Sequence, residues 1–283
     1  MYKFKKFSEL TITDDYMFCQ VMQNERLCRK LLELVLRDRI GEIRSISYQD
    51  TRSASYEAKS VRLDVTVEDE EGNFYDIEMQ TSDNPNLARR MRYYQAITDT
   101  EHLRKGMDYI RLPDCIIIMF CTFDHMGEGL PVYSFRYICM EDKSIVFPDG
   151  TLMVMVNSRA AEKEMDAELR DFLRLMNGET AEENFSREVA EEIQSIKADS
   201  EREAGYMSYW KLQADLMDAR REGREEGEEM VMELLQYLLK DSRDNDIKRA
   251  ISDRDYRNDL YKYYGIAEPN ERYDTHIQHN DVI

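Results

Sequence analysis

The sequence predicts an α/β fold: a mixed β-sheet core flanked by helices, followed by an all-helical C-terminal extension. Three observations predict it. Up to about residue 157, strand patterns of period 2 are interspersed with helical patterns. One run, DCIIIMFCTFD (114–124), is continuously apolar, as an interior strand covered on both faces should be. Beyond about residue 160 the strand signals stop and the apolar residues recur at helical spacing.

The elements follow in order. TITDDYMFCQVMQNERLCRKLLELVL (11–36) predicts a helical opening capped at Thr13 or Asp14, with Phe18, Val21, Met22, Leu31, Leu32 and Val35 as its apolar stripe. IGEIRSISYQD (40–50) predicts a strand. In SVRLDVTVED (60–69), Val61, Leu63, Val65 and Val67 alternate with polar residues, and Tyr75, Ile77 and Met79 continue the pattern in FYDIEMQ (74–80). TSDNPNLARRMRYYQAITDTEHLRKG (81–106) predicts a helix with Asn84 at the cap, Pro85 in the first turn and Gly106 at the end. LPVYSFRYICM (130–140) and TLMVMVNS (151–158) predict two more strands around a Pro-Asp-Gly turn at 148–150. AAEKEMDAELRDFLRLM (160–176) predicts a helix with Met165, Leu169, Phe172 and Leu173 on one face, and two or three helices follow it.

The expected division is therefore a sheet-containing domain over 1–160, a helical region over 161–266, and a disordered tail over 267–283. In the tail, His276 and His279 make a poor metal site. Between Arg159 and Lys240, 22 acidic residues oppose 12 basic ones, a balance of −10. The ARREGREEGEEM run (219–230) has charges at i, i+3 and i+4 that support an exposed helix, weakened by its glycines. It reads either as a solvated surface or as a helix-pairing segment.

A length of 283 residues with 42% hydrophobic content allows one sizeable core plus an extension. With 58 acidic against 39 basic residues, the net charge of −19 argues against broad attraction to nucleic acid or anionic membrane. It leaves room for a local basic groove, for which Lys3, Lys5, Lys6, Arg52, Lys59, Arg62, Arg89, Arg90 and Arg92 are candidates. Five cysteines without a CxxC pair read as reduced core residues rather than disulfides or zinc ligands, in a cytoplasmic protein. No stretch approaches a membrane span and no leader pattern opens the chain.

The chemistry concentrates in RLDVTVEDEEGNFYDIEMQ (62–80). With the turn near Glu71, facing residues have numbers that sum to about 142, so Leu63 meets Met79, Val65 meets Ile77 and Val67 meets Tyr75 on the apolar side. On the other side Asp64 meets Glu78 and Arg62 meets Gln80. Opposed side chains have Cβ atoms roughly 5 Å apart, a spacing at which two carboxylates suit one hard divalent cation, Mg²⁺ or Mn²⁺. A solvated polar face on an antiparallel sheet is the plainer reading of the same pattern. Arg89, Arg92 and Tyr93 share a face of the following helix, and arginine beside a metal suits phosphate oxygens. Asp14 and Asp15 could add a carboxylate.

An acid on the first helix, Asp on one strand, Glu-x-Gln on the next and then a helix is an order that resembles the PD-(D/E)XK nuclease superfamily. The runs TDDYMFCQVM, VRLDVTVEDEEGNFYDIEMQ, RRMRYYQAITD, FCTFDHMGEGLPVYSF and DGTLMVMVNS resemble one branch, the Rpn recombination-promoting nucleases, also described as PD-(D/E)XK nuclease family transposases. The resemblance covers about residues 8–160 with specific motifs and the helical remainder loosely. It implies a restriction-endonuclease-like core and a Mg²⁺-dependent DNA endonuclease, with Mn²⁺ able to substitute, associated with recombination, mobile elements or phage defence. Carried over by position, Asp64 and Glu78 would bind the metal with Asp14 or Asp15. Gln80 would take the place of the usual lysine and orient the attacking water or the phosphate. Tyr94 and Gln95 would support the site or face DNA, beside Arg62, Arg89 and Arg92. A neutral glutamine cannot replace an ammonium charge, which leaves more to the metal and to Arg92. Action on duplex DNA would favour a homodimer. The alternative is a catalytically weak nuclease-like module that acts by protein binding or oligomerisation through its acidic helical region.

Overall fold

A computed structural model describes residues 4–38, 40–52 and 61–266. Lys3, Lys59, the tail from residue 267 and its two histidines lie outside the described residues. The described chain divides into two units, Met1–Tyr206 and Met207–Ile283, with the boundary inside one long helix.

The opening segment forms two helices rather than one, α1 (Asp15–Met22) and α2 (Glu25–Leu36). The break has a physical cause. Asn24 adopts an extended backbone and its side chain accepts from the Leu27 N–H, so it starts a second helix where the apolar spacing alone reads straight through. A six-stranded mixed sheet follows, in the order β1-β2-β3-β4-β6-β5. Its strands are β1 (Ile43–Arg52), β2 (Val61–Asp69), β3 (Phe74–Gln80), β4 (Cys115–Cys121), β5 (Val132–Phe135) and β6 (Thr151–Asn157). β1 and β2 are antiparallel, as are β2 and β3, whereas β3, β4 and β6 run parallel. The crossover from β3 to β4 carries α3 (Leu87–His102). Its N-cap residue is Asn86, two residues beyond the expected Asn84, whose side chain instead accepts from the Asn86 N–H at 2.9 Å.

The parallel strands are buried along most of their length because both faces are covered. On one face, Leu87, Met91, Tyr94 and Ile97 of α3 pack on Phe74, Cys115, Ile117, Met119 and Cys121. On the other, Phe120 meets Phe18 of α1 and Phe172 of α4 (Ala167–Met176), which in turn meets Phe185 of α5 (Asn184–Ala198). Met165, expected on the buried face of a helix starting near 160, precedes α4 and is exposed. Asp166 caps that helix, and a 3₁₀ stretch over Ser158–Lys163 comes before it. The strand expected over 130–140 is short: β5 ends at Phe135, and Ile138 then bridges to Val146 in a two-stranded arm that carries half-buried Cys139. The other four cysteines are buried, and all five are free thiols.

The helical remainder comprises α6 (Ser200–Lys240), α7 (Asp244–Ser252) and α8 (Arg254–Tyr264). The glycine-bearing run stays helical, with Arg221 pairing to Asp218 and Glu225, and Arg224 to Glu228. Met230, Leu234, Leu238, Ala250, Leu260 and Tyr261 form the small core of the second unit. No helix among the described residues is long and apolar enough to cross a membrane.

Candidate functional site

The β2–β3 hairpin has the register that the sequence pattern predicts over its turn-proximal half: Val65 faces Ile77, Thr66 faces Asp76, Val67 faces Tyr75 and Glu68 faces Phe74. Asp69 closes the turn, accepting from the Asn73 backbone and side chain and from the Tyr75 hydroxyl, and Gly72 takes the left-handed conformation at φ +86°. Beyond Val65 and Ile77 the regular ladder gives way to side-chain contacts. The Asp64 N–H donates to Glu78 Oε1 at 2.9 Å, and the Met79 N–H donates to Asp64 Oδ2 at 3.1 Å. Each carboxylate therefore holds a backbone donor of the opposite strand. Leu63 and Val61, which simple alternation puts with Val65, join the cluster under α3 instead.

This face of the hairpin is not a solvated polar surface. Asp64 is 6% exposed, Glu78 1%, Asp76 0% and Thr66 3%. The reason is α3, which covers the even-numbered residues of β3. Asp76 lies on the same face as Glu78 and Gln80 and is a residue that the motif spacing alone did not single out. Neither of its carboxyl oxygens has a hydrogen-bond partner among the described residues; Glu78 approaches without reaching hydrogen-bond geometry. The signal for it was its identity: an acid at i−2 from Glu78 shares its face.

Four acids load this end of the sheet with negative charge. Burial, followed by the charge of Glu78, pushes the Asp64 carboxyl well above its ordinary range. Burial and then Asp64 do the same to Asp76, and burial and then Asp76 to Glu78. Asp15, half-buried at the start of α1, is raised by burial and drawn back by the charge of Arg62. Both Asp64 and Glu78 feel the charge of Asp15. Asp14 is engaged elsewhere: it accepts from the Thr11 N–H and hydroxyl and pairs with Lys5. Of the two acids that the sequence left open, Asp15 is the one electrostatically coupled to the site. Cys19 of α1 also reaches it, donating to the Asp64 carbonyl at 3.3 Å.

Arg90 is a cation in direct contact with this cluster. Its Nη2 lies 3.2 Å from Glu78 Oε2, its Nη1 donates to Gln80 Oε1 at 3.1 Å, and its guanidinium sits 5.2 Å from the Tyr94 ring centre. Arg89 and Arg92 are exposed, Tyr93 and Gln95 half-buried and Tyr94 buried. Burial and the neighbouring Glu78 charge raise the Tyr94 hydroxyl pKa. The inward stripe is Leu87, Met91, Tyr94, with Arg90 at its flank one turn before Tyr94. That spacing is the signal that distinguishes Arg90 from the arginines on either side.

The family-model comparison matches residues 13–223 to the PD-(D/E)XK nuclease family transposases. The chain belongs to that family. The comparison with curated proteins returned no match, and neither did the comparison with solved structures. The PD-(D/E)XK match spans both helices that precede the sheet, the whole sheet, α4, α5 and part of α6.

PD-(D/E)XK nucleases generally use divalent metal ions, and the residues present accommodate one in a particular way. Among the described residues, no three His, Cys, Asp or Glu side chains converge as an all-protein cage. What the hairpin offers is two hard carboxylates, each with one oxygen fixed on a backbone N–H; the second oxygen of Glu78 faces Arg90, and Asp76, without a hydrogen-bond partner among the described residues, lies on the same face. A hard divalent ion held by one or two carboxylates, with waters and substrate phosphate completing its shell, takes a donor set of this kind.

Proposed function

We propose that this chain is a divalent-metal-dependent endonuclease of the Rpn branch, hydrolysing phosphodiester bonds in DNA in the cytoplasm during recombination, mobile-element movement or defence. The observation that carries the reading is the crossed pair, Asp64 and Glu78, buried together where regular strand pairing gives way. Like-charged acids in that position are unfavourable unless a cation or a proton offsets them. Asp64 and Glu78 would hold Mg²⁺, with Mn²⁺ able to substitute, and Asp15 would add negative charge from α1. A bound ion would polarise the phosphodiester and lower the pKa of a coordinated water. Gln80 would orient the water or the phosphate through its amide. Arg62, Arg89 and Arg92 would meet the DNA backbone, and Tyr94 and Gln95 would support them.

The test is nicking of supercoiled plasmid in Mg²⁺ or Mn²⁺ by wild type, Asp64→Ala and Glu78→Gln. Cleavage by wild type alone is expected. Equal cleavage by all three would trace the activity to a contaminant and remove the assignment. A second reading, a nuclease-like module acting by protein binding or oligomerisation, draws on exposed Leu212, Leu216 and Met232 along α6. It predicts a wild type without metal-dependent cleavage.

A further inference from the structure

Gln80 leaves β3 without the cation that a lysine at this position would provide, and the structure brings one from another element. Arg90 reaches the site from α3. Its fork is held at three places: Nη2 on Glu78 Oε2, Nη1 on Gln80 Oε1, and the guanidinium face near the Tyr94 ring. Its Nε is buried and has no acceptor among the described residues. Its side chain is 32% exposed while that of Glu78 is 2% exposed, so the arginine is open to the surface in part where the acid it contacts is not.

An arginine recruited only to neutralise Glu78 would need no contact with Gln80. Here the amide oxygen of Gln80 accepts from Arg90, and that orientation turns the two Nε2 hydrogens away from the guanidinium. The pair thus presents a fixed positive charge and fixed amide donors side by side. Fixed donors and charges facing a point where negative charge develops are the means by which a transition state is stabilised.

Resting on the nuclease reading above, we propose that Arg90 and Gln80 act as one unit in place of the single lysine. Arg90 supplies the positive charge toward the phosphate, and Gln80 fixes its guanidinium and adds an amide donor. Arg90 is then a catalytic residue reached through a helix, and Gln80 is the residue that positions it.

Steady-state cleavage of a labelled DNA duplex in Mg²⁺ tests this with wild type, Arg90→Ala, Arg90→Lys and the double variant Gln80→Lys/Arg90→Ala, alongside thermal melts. Arg90→Ala should lower kcat by about 10²- to 10³-fold while KM changes by less than about threefold. Gln80→Lys in that background should recover at least about tenfold, because the charge returns from the strand. A folded Arg90→Ala with a kcat within about threefold of wild type would overturn the proposal, as would a folded double variant no faster than Arg90→Ala. Should Arg90→Ala fail to fold, Arg90→Lys takes its place: it keeps a charge against Glu78 but loses the fork to Gln80. It should be slowed at least about tenfold, and a wild-type rate would overturn the proposal. A wild type with no metal-dependent cleavage would instead bring down the nuclease reading itself, so the two failures are told apart.

Discussion

Asp64 and Glu78 are joined through each other's strand: Glu78 Oε1 accepts from the Asp64 N–H at 2.9 Å, while Asp64 Oδ2 accepts from the neighbouring Met79 N–H at 3.1 Å. Each carboxylate takes one backbone donor of the opposite strand beyond the last regular pair. Orientation of both acids is therefore a property of the backbone, set before any cation arrives.

This geometry separates charge from shape at position 78. Glu78→Gln keeps a carbonyl oxygen for the Asp64 N–H, whereas Glu78→Ala orphans that donor, which costs about 1–3 kcal/mol when buried. Urea unfolding should show the alanine variant less stable than wild type and the glutamine variant equal or more stable. Both should lose cleavage. A destabilised glutamine variant would mean that the negative charge itself supports the fold.

Stability should fall as pH rises. The pKa values of Asp15, Asp64, Asp76 and Glu78 are all raised in the folded state, burial being the largest cause for each. Above the ordinary carboxylate range and up to those raised values, the folded chain binds more protons than the unfolded one, so folding weakens with increasing pH. Melting temperature should drop as pH rises above the ordinary carboxylate range, from about pH 5 upward, and Mn²⁺ should restore more of it at higher pH. Asp76→Asn should flatten the profile. A melting temperature that rises through this window in both proteins would contradict the assignment.

Glu164 is a buried acid outside the hairpin, and its contacts are structural. It accepts from the Met165 and Asp166 N–H groups and pairs with Arg37 at 2.9 Å, with its side chain fully buried. Glu164→Leu should cost about 2–4 kcal/mol, since it strands buried donors and removes a charged acceptor. Denaturant midpoints measure it, and cleavage by the folded fraction should be unchanged.

Truncation should show where the first unit ends. A fragment stopping at residue 160 loses Phe172 and Phe185, which continue the ring contacts from Phe120. Removing such aromatic side chains singly costs about 3–5 kcal/mol, a large part of a typical domain's stability. Circular dichroism should find that fragment unfolded. A cooperative melt would show that the sheet and the first three helices suffice.

The hairpin was legible because strand period and turn position are local: the facing of Val65 with Ile77 and of Val67 with Tyr75 follows from them alone. The burial of Asp76 and Glu78 was not, because it depends on α3 closing over that face, a contact between segments that no local period reports. The same cause left Arg90 as one groove candidate among several rather than singled out for the site. Counting charges along α3 favours Arg89 and Arg92, which face water, whereas the inward stripe of Leu87, Met91 and Tyr94 is what selects Arg90. The break between α1 and α2 was carried by a single cap, Asn24, inside an unbroken apolar rhythm. For Asp14 and Asp15, adjacent in sequence and alike in chemistry, only the local hydrogen bonds of Asp14 separate them.

The central claim is that Asp64 and Glu78 share one divalent cation. A crystal of the protein soaked in Mn²⁺ and measured for anomalous scattering tests it most directly. The account predicts a peak roughly 2.0–2.2 Å from a carboxylate oxygen of each of Asp64 and Glu78, with waters on its outer side. Full occupancy at another site, with none between these two acids, would contradict it.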